Sequence, residues 1–95
     1  MSEDITSLRV CVEGIVQGVG FRAFLKMAAM RNGLHGWVRN RSDGSVEALV
    51  SGPTKAVEDF VSAATQGPEG ARVRSVDLHN TEAPVEKGFQ QRATL

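Results

Sequence analysis

Gly14-Ile15-Val16-Gln17-Gly18-Val19-Gly20-Phe21-Arg22 separates two segments of different periodicity. Before it, Leu8, Val10 and Val12 alternate with Arg9, Cys11 and Glu13, the period of a half-buried strand. After it, Phe24, Leu25, Met27, Ala28 and Met30 share one broad helical face, and Asn32-Gly33 reads as the helix stop. The stretch is therefore a strand-to-helix turn. Its glycines permit positive φ and close backbone approach. A turn that ends at a helix N-terminus offers its amides to an anion, and Arg22 stands in the first helical turn to clamp it. The same residues also fit a tight connection carrying an exposed arginine.

The rest of the chain completes the pattern. His35 to Arg41 reads as a second strand, with Gly36, Val38 and Asn40 on one face and His35, Trp37, Arg39 and Arg41 on the other. Ser42-Asp43-Gly44 is a hairpin signal, and Ser45 to Ser51 follows as a third strand with Val46, Ala48 and Val50 inward. Gly52-Pro53 ends that strand, with Pro53 suited to the first turn of a second helix. Ala56, Val57, Phe60, Val61 and Ala64 form the second helix's apolar stripe. After the Gln66–Gly70 loop, Val73, Val76 and Leu78 mark a fourth strand. Val73 is out of phase, which suggests a bulge or an early bend. Gly88 to Leu95 is a weaker fifth strand with Phe89 as its core candidate. Leu8, Val10 and Val12 should face the core and Cys11 the opposite side. Met27 and Met30 read as core filler, and residues 1–6 as a disordered tail. The order β-α-β-β-α-β predicts an α+β, ferredoxin-like sandwich: an antiparallel sheet with two helices on one face.

Ninety-five residues make a single domain. Apolar residues are 41% of the chain, which favours a globular fold, and no apolar run approaches the roughly 20 residues that span a bilayer. Met1-Ser2-Glu3-Asp4 is unlike a signal peptide. The single cysteine, Cys11, has no internal partner, so a reducing cytoplasm is the expected setting. Net charge is zero, but residues 14–42 hold Arg22, Lys26, Arg31, Arg39 and Arg41 and no acid, which leaves −5 elsewhere. A local positive field attracts small anions. The balanced total argues against a nonspecific nucleic-acid binder, and a monomer is the simplest expectation.

The loop lacks both the Gly-Lys-Ser/Thr ending of a P-loop and the glycine spacing of dinucleotide folds. That leaves a mononucleotide or a small phosphate ester or anhydride. Asn40 is the second candidate, as an amide on the core-facing side near a strand end. It either stabilises the hairpin or holds a water oriented for attack. No metal-ligand spacing and no nucleophile-elbow serine occurs, and His35 and His79 read as structural or solvated. A phosphate site without metal, cofactor or obvious base implies a good leaving group, with catalysis by positioning and charge stabilisation.

Gly14 to Arg22 resembles the first signature of the acylphosphatases, and Gly36-Trp37-Val38-Arg39-Asn40 with Asp43-Gly44-Ser45-Val46 resembles the second. The resemblance continues through Gly52-Pro53, Gly67-Pro68, Gly70-Ala71 and Gly88-Phe89. It implies metal-independent hydrolysis of the carboxyl–phosphate anhydride of a small-molecule acylphosphate. It also implies that Arg22 binds the phosphate together with the amides of Gln17, Gly18, Val19, Gly20, Phe21 and Arg22, while Asn40 positions the water. Phe24 stands where many members carry Tyr. Two other readings remain: an accessory module like those in hydrogenase-maturation carbamoyltransferases, and a single-stranded RNA binder. The RNA reading would rest on Trp37, the one aromatic placed on the open sheet face.

Overall fold

Strand β1 (Ile5–Ile15) is the hub of the sheet, pairing antiparallel with β3 (Val46–Pro53) on one side and β4 (Arg72–Asn80) on the other. Strand β2 (His35–Asn40) pairs antiparallel with β3, and β5 (Phe89–Gln91) pairs in parallel with β2. The order across the sheet is β4-β1-β3-β2-β5. The computed structural model describes residues 4–84 and 86–94. Helices α1 (Phe21–Arg31) and α2 (Thr54–Gln66) cover the face carrying Val10, Val12, Val38, Val46, Ala48 and Val50. Those side chains form one core with Phe21, Leu25, Val57, Phe60 and Phe89, each large one contributing about 1.5–3 kcal/mol by burial.

This is the expected ferredoxin-like α+β sandwich, with instructive departures. The fifth strand is short and parallel to β2, so the sheet is mixed rather than wholly antiparallel. Ile5 and Thr6, expected in a disordered tail, pair with Pro53 and Gly52 in β1. Positions 1–3 of that tail lie outside the described residues. Pro53 closes β3 and is the N-cap of α2 rather than part of its first turn. Met27 and Met30, expected as core filler, are 67% and 62% exposed. The buried residues of α1 are Phe21, Leu25, Ala28 and Ala29, a stripe at i, i+4, i+7 and i+8 that leaves both methionines off the core face.

Of the bulge and the early bend that Val73 suggests, the structure has the bulge, and it shapes the exit of β1. Glu13 pairs with Ser75 but Gly14 pairs with Val73, so Arg74 is the extra residue on β4. Gly14 sits at φ +134, and a Cβ there would lie 2.1 Å from the Arg72 carbonyl oxygen. Only glycine admits that approach just before the loop.

On the helix-free face, Glu47 of β3 is 3% exposed. It accepts hydrogen bonds from Arg9 Nη1 (2.8 Å), Arg39 Nε (2.9 Å) and Arg41 Nη1 (3.1 Å). Burial alone would raise its pKa. The bonds from Arg9 and Arg39 and the charges of Arg39 and Arg41 outweigh burial and hold it below the ordinary value. A carboxylate shifted down stabilises the fold above its unfolded pKa and loses that contribution as pH falls through the folded one.

Two outcomes are expected. Gly14→Ala should cost roughly 3 kcal/mol or more by urea denaturation, from the clash and the positive φ together. Glu47→Gln should cost roughly 1–3 kcal/mol at pH 7. Its deficit relative to the unmodified chain should shrink as pH falls below about 4.5, measured by urea denaturation at stepped pH.

Candidate active site

Strands β1 and β2 both run antiparallel to β3, which lies between them, so they point the same way; β5 is parallel to β2. The C-terminal ends of all three strands therefore arrive at one end of the sheet. There, β1 hands over to the loop and the start of α1, β2 presents Asn40 and β5 presents Gln91. Together they line a cavity of about 280 Å³ bounded by Val16, Gly18, Gly20, Phe21, Arg22, Ala23, Asn40 and Gln91.

The loop enters α1 through Gly20, whose left-handed conformation (φ 77, ψ 21) makes it the N-cap. Its carbonyl accepts from Phe24 N at 3.0 Å, the bond that starts the helix. No side chain caps this terminus and no acidic residue stands in its first turn. The first-turn amides, which have no intrahelical partner, border the cavity together with the positive end of the helix dipole. Arg22 is half-buried at this border, with Nη1 3.4 Å from the Arg92 carbonyl oxygen. That is a long, weak contact which an anion would readily displace.

Asn40 is half-buried on the helix-covered face, and its side-chain amide has no protein partner among the described residues. The turn role that was the alternative reading of Asn40 is filled by Asp43. Asp43 Oδ1 accepts from Ser45 N (2.9 Å) and Ser45 Oγ (2.6 Å), which holds its carboxyl below the ordinary value.

The structure thus brings Arg22, Asn40, Gly18, Gly20 and Phe21 together. Gln17 and Val19 of the expected phosphate loop do not line the cavity. Val19 packs against the core. The Gln17 side chain turns to the β2–β3 hairpin and donates from Nε2 to the carbonyls of Arg41 (2.7 Å) and Ser45 (2.9 Å). Three residues escaped the reading of the sequence. Gln91 lines the cavity; the period of two from buried Phe89 was the signal for it. Val16 is buried at the cavity wall, two residues past Gly14. Glu47 holds Arg39 and Arg41, the residues on either side of Asn40, from the far face of the sheet.

Other chemistry is sparse. Among the described residues no three His, Cys, Asp or Glu side chains cluster as metal ligands. His35 Nδ1 accepts from Gly88 N at 2.8 Å, and His79 is exposed. Cys11 lies on the helix-free face. Burial pushes its thiol up, and Arg9, 3.4 Å away, offsets that only in part, so it is no ready nucleophile. Trp37, on the same face, is flanked by the guanidinium groups of Arg39 (4.7 Å) and Arg92 (5.1 Å). A cavity of about 310 Å³ lies beside Glu13, Asp43 and Arg74, but Arg74 is already paired with Glu13 at 2.7 Å. No helix among the described residues is long and apolar enough to cross a membrane.

Comparison with known proteins shows the family and the fold. The acylphosphatase family model matches residues 8–91. The chain is 45% identical over 92 residues to an acylphosphatase of Rhizorhabdus wittichii, covering 97% of this chain and 93% of that one. It superposes on the crystal structure of acylphosphatase from Bacillus subtilis with a TM-score of 0.87 at 37% identity, over 94% of this chain and 99% of that one. It also matches part of full-length HypF in its phosphate- and nucleotide-bound form, with a TM-score of 0.90 at 27% identity, over 99% of this chain and 13% of that one. With the family model, the curated relative and the solved structure in accord over nearly its whole length, the chain belongs to the acylphosphatase family.

Proposed function

We propose that this chain hydrolyses the carboxyl–phosphate anhydride of small acylphosphates, with the phosphate held at the α1 terminus and water delivered by Asn40. The observation that carries the reading is the convergence of Arg22 and Asn40, 18 positions apart, on one cavity bordered by a helix N-terminus. A helix terminus with free amides and a planar guanidinium suits the three terminal oxygens of a phosphoryl group. An unengaged amide suits a water, donating to nothing else and accepting one of its hydrogens.

The steps follow from these parts. Arg22 and the loop amides bind the terminal phosphoryl oxygens and stabilise their charge as phosphorus becomes five-coordinate. Asn40 orients a water in line with the scissile bond. The water oxygen bonds to phosphorus, and the bond from phosphorus to the acyl oxygen breaks, its electron pair leaving on the carboxylate. The water's proton passes to a phosphate oxygen. The products are a carboxylate and inorganic phosphate, with no metal and no protein base. The same reading makes the chain a cytoplasmic monomer acting on small molecules rather than on nucleic acid.

A second reading, a phosphate-binding module without hydrolytic activity, is favoured by the match to a small part of HypF. One experiment separates the two. Hydrolysis of benzoyl phosphate is followed in excess EDTA, with para-nitrophenyl phosphate as the ester control. The unmodified chain should hydrolyse the anhydride and leave the ester. Arg22→Ala and Asn40→Ala should each lower kcat/KM on the order of a hundredfold or more. Competition by inorganic phosphate should weaken in Arg22→Ala and stay within a fewfold in Asn40→Ala. A folded chain that binds phosphate without hydrolysing the anhydride would favour the module.

A further inference from the structure

We propose that Gln17 is a positioning residue, whose side-chain amide fixes the anion-binding loop against the strand end that carries Asn40. The inference rests on the roles given above to Arg22 and Asn40.

A glutamine amide nitrogen carries two hydrogens. Those of Gln17 serve the carbonyls of Arg41 and Ser45, 24 and 28 positions away, at 2.7 and 2.9 Å. Both carbonyls are already satisfied within the hairpin: Gly44 N donates to Arg41 O at 3.1 Å, and Arg41 N donates to Ser45 O at 2.8 Å. Asp43 closes the same turn through Ser45. A carbonyl oxygen has two lone pairs, and Gln17 occupies the second on each. The hairpin therefore closes without Gln17. What Gln17 adds is a link between two segments that share no backbone ladder.

That link sits beside the chemistry at both ends. Gln17 directly precedes Gly18, and Arg41 directly follows Asn40. The loop has few side chains of its own to hold it: Gly18 and Gly20 have none, and a Cβ built on either would meet nothing within 4 Å. Glycines in open space are held only by what lies on either side of them. The start of α1 holds one end, where the Gly20 carbonyl accepts from Phe24 N; Val19 holds the middle by packing on the core, and Gln17 holds the end that leaves β1. In-line attack needs water, phosphorus and leaving oxygen aligned, and a misplacement of about 1 Å can cost about 100-fold in rate. Glu47 restrains the same strand end from the opposite face by holding Arg39 and Arg41. Gln17 is the restraint that reaches the loop.

The test is a double-mutant cycle on benzoyl phosphate hydrolysis with Gln17→Met, Asn40→Ala and both together. Gln17→Met keeps the length and removes both donors. It should lower kcat between about 10- and 100-fold while the inhibition constant for inorganic phosphate stays within about threefold. In the Asn40→Ala background the same change should cost less than about threefold, because the group being aligned is gone. Near-ultraviolet circular dichroism of Trp37 checks the fold. If Gln17→Met does not fold, Gln17→Glu, of equal length, takes its place, with the same kcat loss expected above the carboxyl's pKa. Multiplicative losses would overturn the proposal, as would weakened phosphate binding at unchanged kcat. So would unfolding of both variants, which would make Gln17 a folding requirement. An unmodified chain without hydrolytic activity, or an Asn40→Ala variant as active as the parent, would instead refute the reading beneath it.

Discussion

A phosphoryl group can be held and attacked at once only if the groups that bind it and the group that delivers water meet from different directions. The sheet order satisfies that constraint. Because β3 lies between β1 and β2 and runs against both, the ends of β1 and β2 come out on the same side, one strand apart. The gap left above the start of β3 is where the loop crosses into α1. Parallel pairing brings β5 to the same end and adds Gln91 to the wall and the Arg92 carbonyl to Arg22. No single strand carries the site; it is a product of strand direction.

Charge on the two faces of the sheet serves different ends. On the helix-covered face the cavity has one guanidinium, a helix terminus and no carboxylate among its lining residues, so its cation is left for a ligand. On the open face three arginines converge on Glu47, and Trp37 lies against Arg39 and Arg92. There the positive charge is largely consumed internally, and its product is rigidity on both sides of Asn40. Of the basic residues in 14–42, Arg22 thus borders the cavity, while Arg39 and Arg41 hold the strand.

What could be read from the sequence was what local periodicity and backbone chemistry encode. Alternation in β1 and β3, the glycine turn, the Asp43-Gly44 hairpin and the out-of-phase Val73 are all signals within a few residues, and each matches the structure. The place of Arg22 and Asn40 at the cavity was legible because each stands at a marked position, a helix start and a strand end. The missing parts are non-local. Glu47 sits in an outward-facing position that looks solvated, and its burial comes from arginines on two other strands. Gln17 was expected to lend its backbone amide to the cradle, and nothing near it in sequence points its side chain to carbonyls 24 and 28 residues away. Strand β5 has three residues and a parallel partner more than 50 positions earlier, so periodicity said little about its register. Met27 and Met30 were misread because apolar character was taken for burial, although Phe21, Leu25, Ala28 and Ala29 already fill the stripe.

The claim on which the rest depends is that an anion sits between the α1 terminus and Asn40. The most direct measurement is a titration of the isotope-labelled chain with inorganic phosphate, followed through backbone and side-chain amide resonances. The largest shifts should fall on the amides of Gly18 to Arg22 and on the Asn40 side-chain amide, saturating together with one affinity. Saturable shifts confined to Arg9, Cys11, Trp37 and Glu47, with the loop unmoved, would place the anion on the open face and contradict the account.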